Sequence, residues 1–452
     1  MNEILNRQRE FYDSNQTKDM AYRKKMLRKL QRVITKNEPL IYQALRGDLN
    51  KSEAESYLTE VQVVQTEITS ALKHLERWQR PKKVRTPITH FPASSYVYRE
   101  PYGVVLILSP WNYPFQLAMA PLVGAVAAGN CVILKVSKSS GEVSKVVEKI
   151  IKETFEERHV ICLPQGTSYD EILNQRYDFI FFTGSETVGK KVMEAASRHV
   201  TPLVLELGGK SPCIIEKSGD IKLAAKRLAW GKFLNAGQTC VAPDYVLVDA
   251  SIKDAFIIEL QKKIEEMYGN ALENKDYPKI INKHHFERLL GLIDGETEKV
   301  GGRREEKSRK IEPTLFINAA FEDEIMKEEI FGPILPIISY ENLKDVIKIL
   351  KEKPKSLAFY IFSRNPKLVE NIINTVEFGG GCVNDVIMHL ANHYLPFGGL
   401  GSSGMGNYHG KYSFATFTHE KAVLKSKGFP DICLRYPPYT QKQLKMLRKI
   451  TH

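Results

Sequence analysis

Cys240 and Glu206 stand where a chain of 452 residues has reason to place them for chemistry. Cys240 lies in NAGQTCVAPD, with Gly237 and Gln238 before it and Pro243 after it, a loop setting between a helical and an extended segment. A thiolate there is a nucleophile toward a carbonyl carbon, although a free cysteine is more often an inert buried residue. Glu206 ends the apolar strand PLVLELGGK. A carboxylate is costly at such a place unless it is paired or used, so a structural ion pair and a general base are both open for it.

Asn112 in PWNYP (110–114) can donate to a developing oxyanion. GSETVGK (184–190) follows the apolar strand FIFF and opens a helix, where backbone N–H groups and the helix dipole bind phosphate. A Walker A loop needs Ser or Thr after its lysine to hold magnesium, and Lys191 stands there. Phosphate binding is retained and NTP hydrolysis is excluded, with an ordinary strand-to-helix turn as the alternative. Two other glycine patterns fail. Gly399, Gly401 and Gly404 match GxGxxG without a strand before or a helix after, and GGKS (208–211) has Val204 where the first glycine of a P-loop belongs. Thiol, carboxylate, phosphate loop and oxyanion donor form one consistent set.

These residues need a scaffold, and the apolar pattern supplies one. From Val104 the chain alternates strand VVLIL, a helix over 114–128, strand CVILK, helix GEVSKVVEKIIKETF, strand VICLP, short helix DEILN, strand DFIFFTG, helix ETVGKKVMEAASRH and strand PLVLELG. Short apolar runs between helices make a parallel sheet with both faces covered, a Rossmann-like nucleotide-binding domain. A second α/β region spans about 210–388, with strands near 213–215, 245–248, 334–338 and 357–362.

Other segments have narrower readings. Residues 1–79 show helical period in polar sequence, ended by Pro81 and the basic PKKVR stretch; 83–98, broken at Pro87 and Pro92, reads as edge strands leaving the main body. The basic run Arg23, Lys24, Lys25, Arg28, Lys29, Arg32, Lys36 reads as the wet face of a helix, with Met26, Leu27, Leu30 and Val33 opposite. KVGGRREEKSRK (299–310) is too polar to pack and predicts a surface loop or hairpin, and GGLGSSGMGNYHGK (398–411) is predicted to wrap over another element.

Composition narrows the class of protein. The length is about three times the usual ~150 residues per domain, so two or three domains are expected. Hydrophobic residues at 43% and charged residues at 26% exclude wholesale disorder, collagen-like repeats and a polytopic membrane protein. The net charge of +12 is spread along the chain, whereas a nucleic-acid binder needs a focused stripe. Six cysteines without a CxxC pair or zinc spacing suggest neither a disulfide scaffold nor a metal site, and a reducing compartment. Residues 101–134 carry no charge, yet Pro101, Pro110, Pro114 and Pro121 break any membrane helix there. MNEILNRQREFYD lacks the apolar core of a signal peptide and the last residues hold no span long enough for an integral anchor, so the cytoplasm is expected.

PWNYP, GSETVG, LELGGK, GQTC, EEIFGP and PFGG occur in the order seen in the aldehyde dehydrogenase superfamily, which the chain resembles over nearly its whole length. GQTCVAPDY, GMGNYHGKYSFATFTH (404–419), RYPPY (435–439) and the short N-terminus are similar to its class 3, fatty-aldehyde-type branch. The resemblance implies an α/β fold in three parts: a Rossmann-like cofactor-binding domain (1–79 and 103–209), an α/β catalytic domain (210–390), and small β bridging or oligomerisation segments with a C-terminal tail (80–102 and 391–452). It also implies a homodimer. The implied reaction oxidises aldehydes, medium- to long-chain aliphatic or aromatic, to carboxylic acids with NAD or NADP, through a thiohemiacetal and a thioester on cysteine.

Carried over position by position, the resemblance implies Cys240 as nucleophile, Glu206 as the base that activates the deacylating water, and Asn112 with the Cys240 N–H as oxyanion hole. Lys135 matches the adenosine-ribose lysine, Ser185 and its neighbouring amides the pyrophosphate contact, and Glu329 the nicotinamide-ribose carboxylate, with Phe331 packed beside that ribose. Trp111, Thr183, Gly184, Glu186, Thr187, Val188, Gly189, Leu207 and Gly208 complete the implied cofactor cradle. His409 falls in the class 3 YHGK motif, with a catalytic and a structural role both open. The family's second adenosine-ribose group, a carboxylate three residues after the lysine, is missing: Lys138 stands there and points to NADP being accepted at least as well as NAD. Tyr113 and Leu117 near the oxyanion loop suggest an apolar approach for substrate. A CoA-acylating dehydrogenase would dispense with a water-activating carboxylate, and Glu206 argues against it. A non-catalytic nucleotide-binding protein of the same fold is opposed by the joint presence of Cys240, Glu206 and Asn112.

Overall fold

Five short apolar runs, Val104–Ser109, Cys131–Val136, Val160–Cys162, Phe179–Thr183 and Leu203–Glu206, are separated by helices and pair in parallel, as runs buried on both faces do. A computed structural model describes residues 1–296, 298–431 and 433–451. In it these strands form one six-stranded sheet, in the order Gly404–Met405, Leu203–Glu206, Phe179–Thr183, Val104–Ser109, Cys131–Val136, Val160–Cys162. Gly404–Met405 joins antiparallel, with Gly404 opposite Glu206. Part of the 398–411 segment, read as wrapping over another element, thus pairs with the very strand that carries Glu206.

A second, seven-stranded sheet runs Lys299–Val300, Thr314–Phe316, Ile334–Tyr340, Tyr245–Asp249, Pro212–Ile215, Ala358–Phe362, Gly380–Val383. All its neighbours are parallel except the first pair. Gly380–Val383 has no sequence signal, because GGCV offers neither alternation nor a β-branched run, and its pairing is imposed by Ala358–Phe362. Lys82–Val84, Ser94–Pro101 and Thr418–Lys425 make a separate antiparallel sheet in which Thr418 to Lys425 pair residue by residue with Pro101 to Ser94. Among the described residues no helix is long and apolar enough to cross a membrane, and no cluster of His, Cys, Asp and Glu suits a metal ion.

Gln116–Ala128 is a helix buried on every side. It packs between the six-stranded sheet and the N-terminal helices Met20–Leu49 and Gln62–Gln79. This contact corrects one reading. Arg23 does not share the wet face of its neighbours but is buried, with Nη1 donating to the carbonyls of Ala127 (2.9 Å) and Ala128 (3.4 Å), and Nη2 to Lys18 (2.8 Å) and Gln79. The guanidinium fork satisfies the last carbonyls of an uncharged helix and meets the negative end of its dipole. Periodicity missed it because Arg23 lies at the helix start, beside another helix's terminus. The polar 299–310 segment does form a hairpin, Arg304–Glu305 against Lys310–Ile311. Lys310, however, is buried and donates to the Asn274 carbonyl at 2.6 Å.

Replacing Arg23 by Met leaves the Ala127, Ala128 and Lys18 carbonyls without a donor. A loss of about 2–4 kcal/mol is expected, read as a fall of several degrees in the thermal unfolding midpoint; an unchanged midpoint would show that water replaces the guanidinium.

Candidate active site

The loop carrying Cys240 leaves the helix Ile221–Phe233 through three successive left-handed residues, Asn235 (φ 50), Ala236 (φ 51) and Gly237 (φ 74). Such a run is unfavourable and persists only where its surroundings over-determine it. Here the determinants are visible. The Asn235 N–H donates to Glu55 Oε1 at 2.9 Å, and Gly237 admits the Gly332 carbonyl, which a Cβ would meet at 2.2 Å. Gln238, wholly buried, is the hub: its Nε2 donates to the carbonyls of Asn235 (2.9 Å) and Lys279 (3.1 Å), and its Oε1 accepts from the Ile281 N–H at 3.0 Å. Its own carbonyl accepts from Asn112 Nδ2 at 3.1 Å, which brings the oxyanion candidate to the loop of the nucleophile candidate. Next along, Tyr113 Oη and Thr239 Oγ1 share a 2.6 Å hydrogen bond, and the Val241 carbonyl accepts from Tyr360 Oη at 2.6 Å.

Glu206 is 2% exposed, and neither carboxylate oxygen has a hydrogen-bond partner. Burial therefore pushes its carboxyl well above the usual range. The Cys240 thiol is pushed up to about 12, chiefly by burial and then by the charges of Glu329 and Glu206, while the amides of Cys240 and Val241 act the other way. Burial holds the proton on each acid, and at Cys240 the charges of Glu329 and Glu206 add to it. Tyr408 completes the apolar wall; it is buried and feels the charges of Glu206 and Cys240. Tyr113 and Leu117 are also buried, deep in the wall rather than at a rim.

The phosphate-loop candidate lies across a cleft of about 530 Å³ lined by Ser185, Glu186, Thr187, Gly208, Gly209 and Glu329 among others. Ser185 caps the helix Glu186–Ser197, its Oγ accepting from the Val188 N–H at 3.4 Å. Gly184 donates to the Glu206 carbonyl at 3.0 Å, and Gly189 lies against Leu207. Thr183 Oγ1 is buried without a partner. Gly208 is required by close approach, since a Cβ there would sit 2.0 Å from Glu329 Oε2. Burial and Asp244 raise the Glu329 carboxyl to about 8. Phe331 (φ 51) and His285 pack on Trp111, with ring centroids 5.4 and 4.8 Å away.

A sequence profile of the aldehyde dehydrogenase family matches residues 2–423. The chain belongs to the aldehyde dehydrogenase family. It is 45% identical over 436 residues to 4,4'-diaponeurosporen-aldehyde dehydrogenase of Staphylococcus aureus, covering 96% of this chain and 95% of that one. It is 42% identical over 446 residues to the aldehyde dehydrogenase, dimeric NADP-preferring, of Rattus norvegicus, covering 98% of each. A solved structure described as the substrate-bound state of Staphylococcus aureus AldH superimposes with a TM-score of 0.97 at 43% identity, over 100% of this chain and 99% of that one. This aldehyde dehydrogenase is thus an oxidoreductase acting on the aldehyde group, with the α/β fold the motifs implied.

Three other implied positions of the dehydrogenase lie in different surroundings. Lys135 is buried at the end of its strand, and Nζ donates to the carbonyls of Pro164 (2.7 Å) and Gln165 (2.8 Å). Lys138 is exposed and close enough to Lys135 to oppose its charge. His409 (φ 87) is buried, but its Nδ1 is 3.0 Å from Glu67 Oε1, the same carboxylate that accepts from the Gly410 N–H. Its ring stacks on Tyr408, and among the described residues no contact joins it to Cys240 or Glu206.

Several residues of the site escaped the sequence. Lys210 Nζ donates to Asp244 Oδ2 at 2.6 Å and to the carbonyls of Ile325 and Glu328 at 2.9 Å, tying the LELGGK turn to the segment that carries Glu329. Lys232 is wholly buried with no partner for Nζ, and burial pulls it down to about 8. A lysine inside LAWGKF was a legible signal for it. Gln238 and Asp244 had none, because their partners lie far away in sequence.

Because the thiol is raised to about 12, alkylation of Cys240 by iodoacetamide in the free enzyme should quicken by up to about tenfold per pH unit from pH 7 to 9. A slope that falls away between pH 8 and 9 would place the thiol in its ordinary range near 9, and a plateau below pH 8 would place it lower still.

Proposed function

We propose that this aldehyde dehydrogenase oxidises medium- or long-chain aliphatic or aromatic aldehydes to carboxylic acids with NAD or NADP, and that Cys240 carries the acyl group. One observation carries the reading: Glu206 buries a carboxylate with both oxygens unpartnered, near enough to Cys240 to raise its thiol. A CoA-acylating enzyme has no use for such a group. The Staphylococcus aureus relative is named for an aldehyde, which supports the substrate class; the name of the Rattus norvegicus relative supports a dimer and NADP. We place the enzyme in the cytoplasm and divide it at the boundaries implied by its motifs; the six-, seven- and three-stranded sheets support the division, except that Gly404–Met405 of the last segment joins the six-stranded sheet.

The residues around the cleft fit a dinucleotide. Thr183 Oγ1 is an orphaned polar atom, Gly208 leaves room at Glu329, and the helix behind Ser185 presents amides to an anion. In this reading Ser185 with the neighbouring amides holds the pyrophosphate, Lys135 the adenosine ribose and Glu329 the nicotinamide ribose, while Phe331 and Trp111 wall the ring. The cofactor, when bound, supplies the hydride acceptor.

Cys240 gives its thiol proton to water and adds as the thiolate to the aldehyde carbon, and Asn112 and the Cys240 N–H meet the oxyanion that forms. Asn112 Nδ2 has two hydrogens and gives one to Gln238, so the other is available. Loss of hydride leaves a thioester on Cys240, and Glu206 as carboxylate takes a proton from the water that hydrolyses it. His409, held by Glu67, steadies the Tyr408 wall and takes no proton.

Cys240→Ala is expected to abolish turnover while leaving cofactor binding nearly intact. Glu206→Gln is expected to keep a pre-steady-state burst of reduced cofactor while steady-state turnover collapses; burst and steady state both at wild-type level would make Glu206 structural. For cofactor choice, Lys138→Glu replaces an exposed cation near the adenosine-ribose lysine with an anion. Each exposed charge pair is worth up to about 1 kcal/mol, so reversing the sign shifts preference toward NAD by about tenfold. The check is kcat/KM for NAD and NADP in both proteins, and an unchanged ratio would remove Lys138 from the account.

A further inference from the structure

The helix Gln116–Ala128, which follows the oxyanion loop, begins without a capping side chain of its own and with no acid in its first turn. Its first amides turn instead to another helix. Glu60 Oε2 accepts from the N–H groups of Phe115 (3.0 Å) and Gln116 (2.9 Å). Glu60 Oε1 accepts from Lys51 Nζ at 2.7 Å, and the same ammonium donates to the Asn112 carbonyl at 3.2 Å. Lys51 Nζ also lies 3.9 Å from the centre of the Tyr113 ring. Both charged side chains are wholly buried.

One ion pair therefore grips residues 112–116 at both ends, cation on the first carbonyl and anion on the last two amides. The grip is reinforced by Asn235 Nδ2, which reaches the Asn112 carbonyl at 2.8 Å. Stability alone is a poor reason for such a pair, because apolar side chains of similar volume commonly serve as well or better. Local backbone gives a second indication. Glu60 lies in a π-helical turn, Tyr57–Val61, and such turns re-aim side chains and recur at functional sites.

We propose that Lys51 and Glu60 are the positioning pair of the oxyanion hole. Working through the backbone of 112–116, they hold the Asn112 amide where charge develops on the substrate oxygen. The proposal rests on the reading of Asn112 as oxyanion donor. Neither residue touches substrate or cofactor, so their whole influence on the reaction passes through Asn112.

The test uses the full chain with Lys51→Met and with Lys51→Met/Glu60→Met, each made in the wild-type and Asn112→Ala backgrounds. Steady-state kcat and KM for an aldehyde are measured with the dissociation constant of the reduced cofactor and the thermal midpoint. Lys51→Met is expected to lower kcat by about 10- to 100-fold with KM and cofactor binding within about threefold. The double variant removes both charges of the pair, and Glu55, which also feels Lys51, keeps the Asn235 N–H, so the midpoint is expected within a few degrees of wild type with the same loss of kcat. In the Asn112→Ala background either change costs less than about threefold more, since the group it positions is gone. Wild-type rates in the double variant, or an equal loss with and without Asn112, would overturn the proposal. So would failure of both variants to fold, which assigns the pair to stability. An Asn112→Ala enzyme as fast as wild type fails the oxyanion reading itself; a slow Asn112→Ala beside a fast Lys51→Met fails only the positioning.

Discussion

A carboxylate buried with neither oxygen satisfied is the constraint on which this enzyme turns. Ionising Glu206 unpaired inside the protein would cost several kcal/mol, and among the described residues no cation pairs with it, so burial keeps its carboxyl protonated at rest. The fold tolerates this because the strand below Glu206 is embedded in a sheet covered on both faces, so local distress cannot be relieved by letting solvent in. The same seclusion raises Cys240. Two buried acids that both keep their protons form a site at rest.

The lysines of the site are engaged elsewhere than on Glu206. Lys210 is taken by Asp244 and two carbonyls, and Lys51 by Glu60 and the Asn112 carbonyl. Both hold backbone rather than neutralise Glu206. Positive charge in this structure fixes the shape of loops, while the reacting groups are left electrostatically exposed to one another. Lys232 is the exception, buried with a free ammonium among Asp244, Lys210 and Glu329.

The fold was largely legible because its strands are short, apolar and bounded by helix signals; every strand read between 104 and 206 is present. Gly380–Val383 was not, since its pairing comes from a neighbour rather than from its own residues. Glu206, Cys240 and Asn112 stood out as candidates because each breaks a local rule: a charge ending an apolar strand, a cysteine after a glycine turn, an asparagine between prolines. Arg23, Lys51, Glu60 and Gln238 obey local rules and acquire their importance only through partners distant in sequence. Single-residue patterns carry no record of such pairings, which arise from the packing of helix on helix.

Gly404–Met405 runs antiparallel to the strand of Glu206, and the Leu207 N–H donates to the Ser403 carbonyl at 3.1 Å. Read in the order of synthesis, this means that the outer hydrogen-bonding groups of Leu203–Glu206 wait unpaired while the whole second sheet is being made. A nascent or prematurely terminated chain therefore presents an open sheet edge beside an unsatisfied acid, the kind of surface that invites pairing with other chains. The edge beside Glu206 is thus closed only by a segment that follows the whole second sheet in the chain.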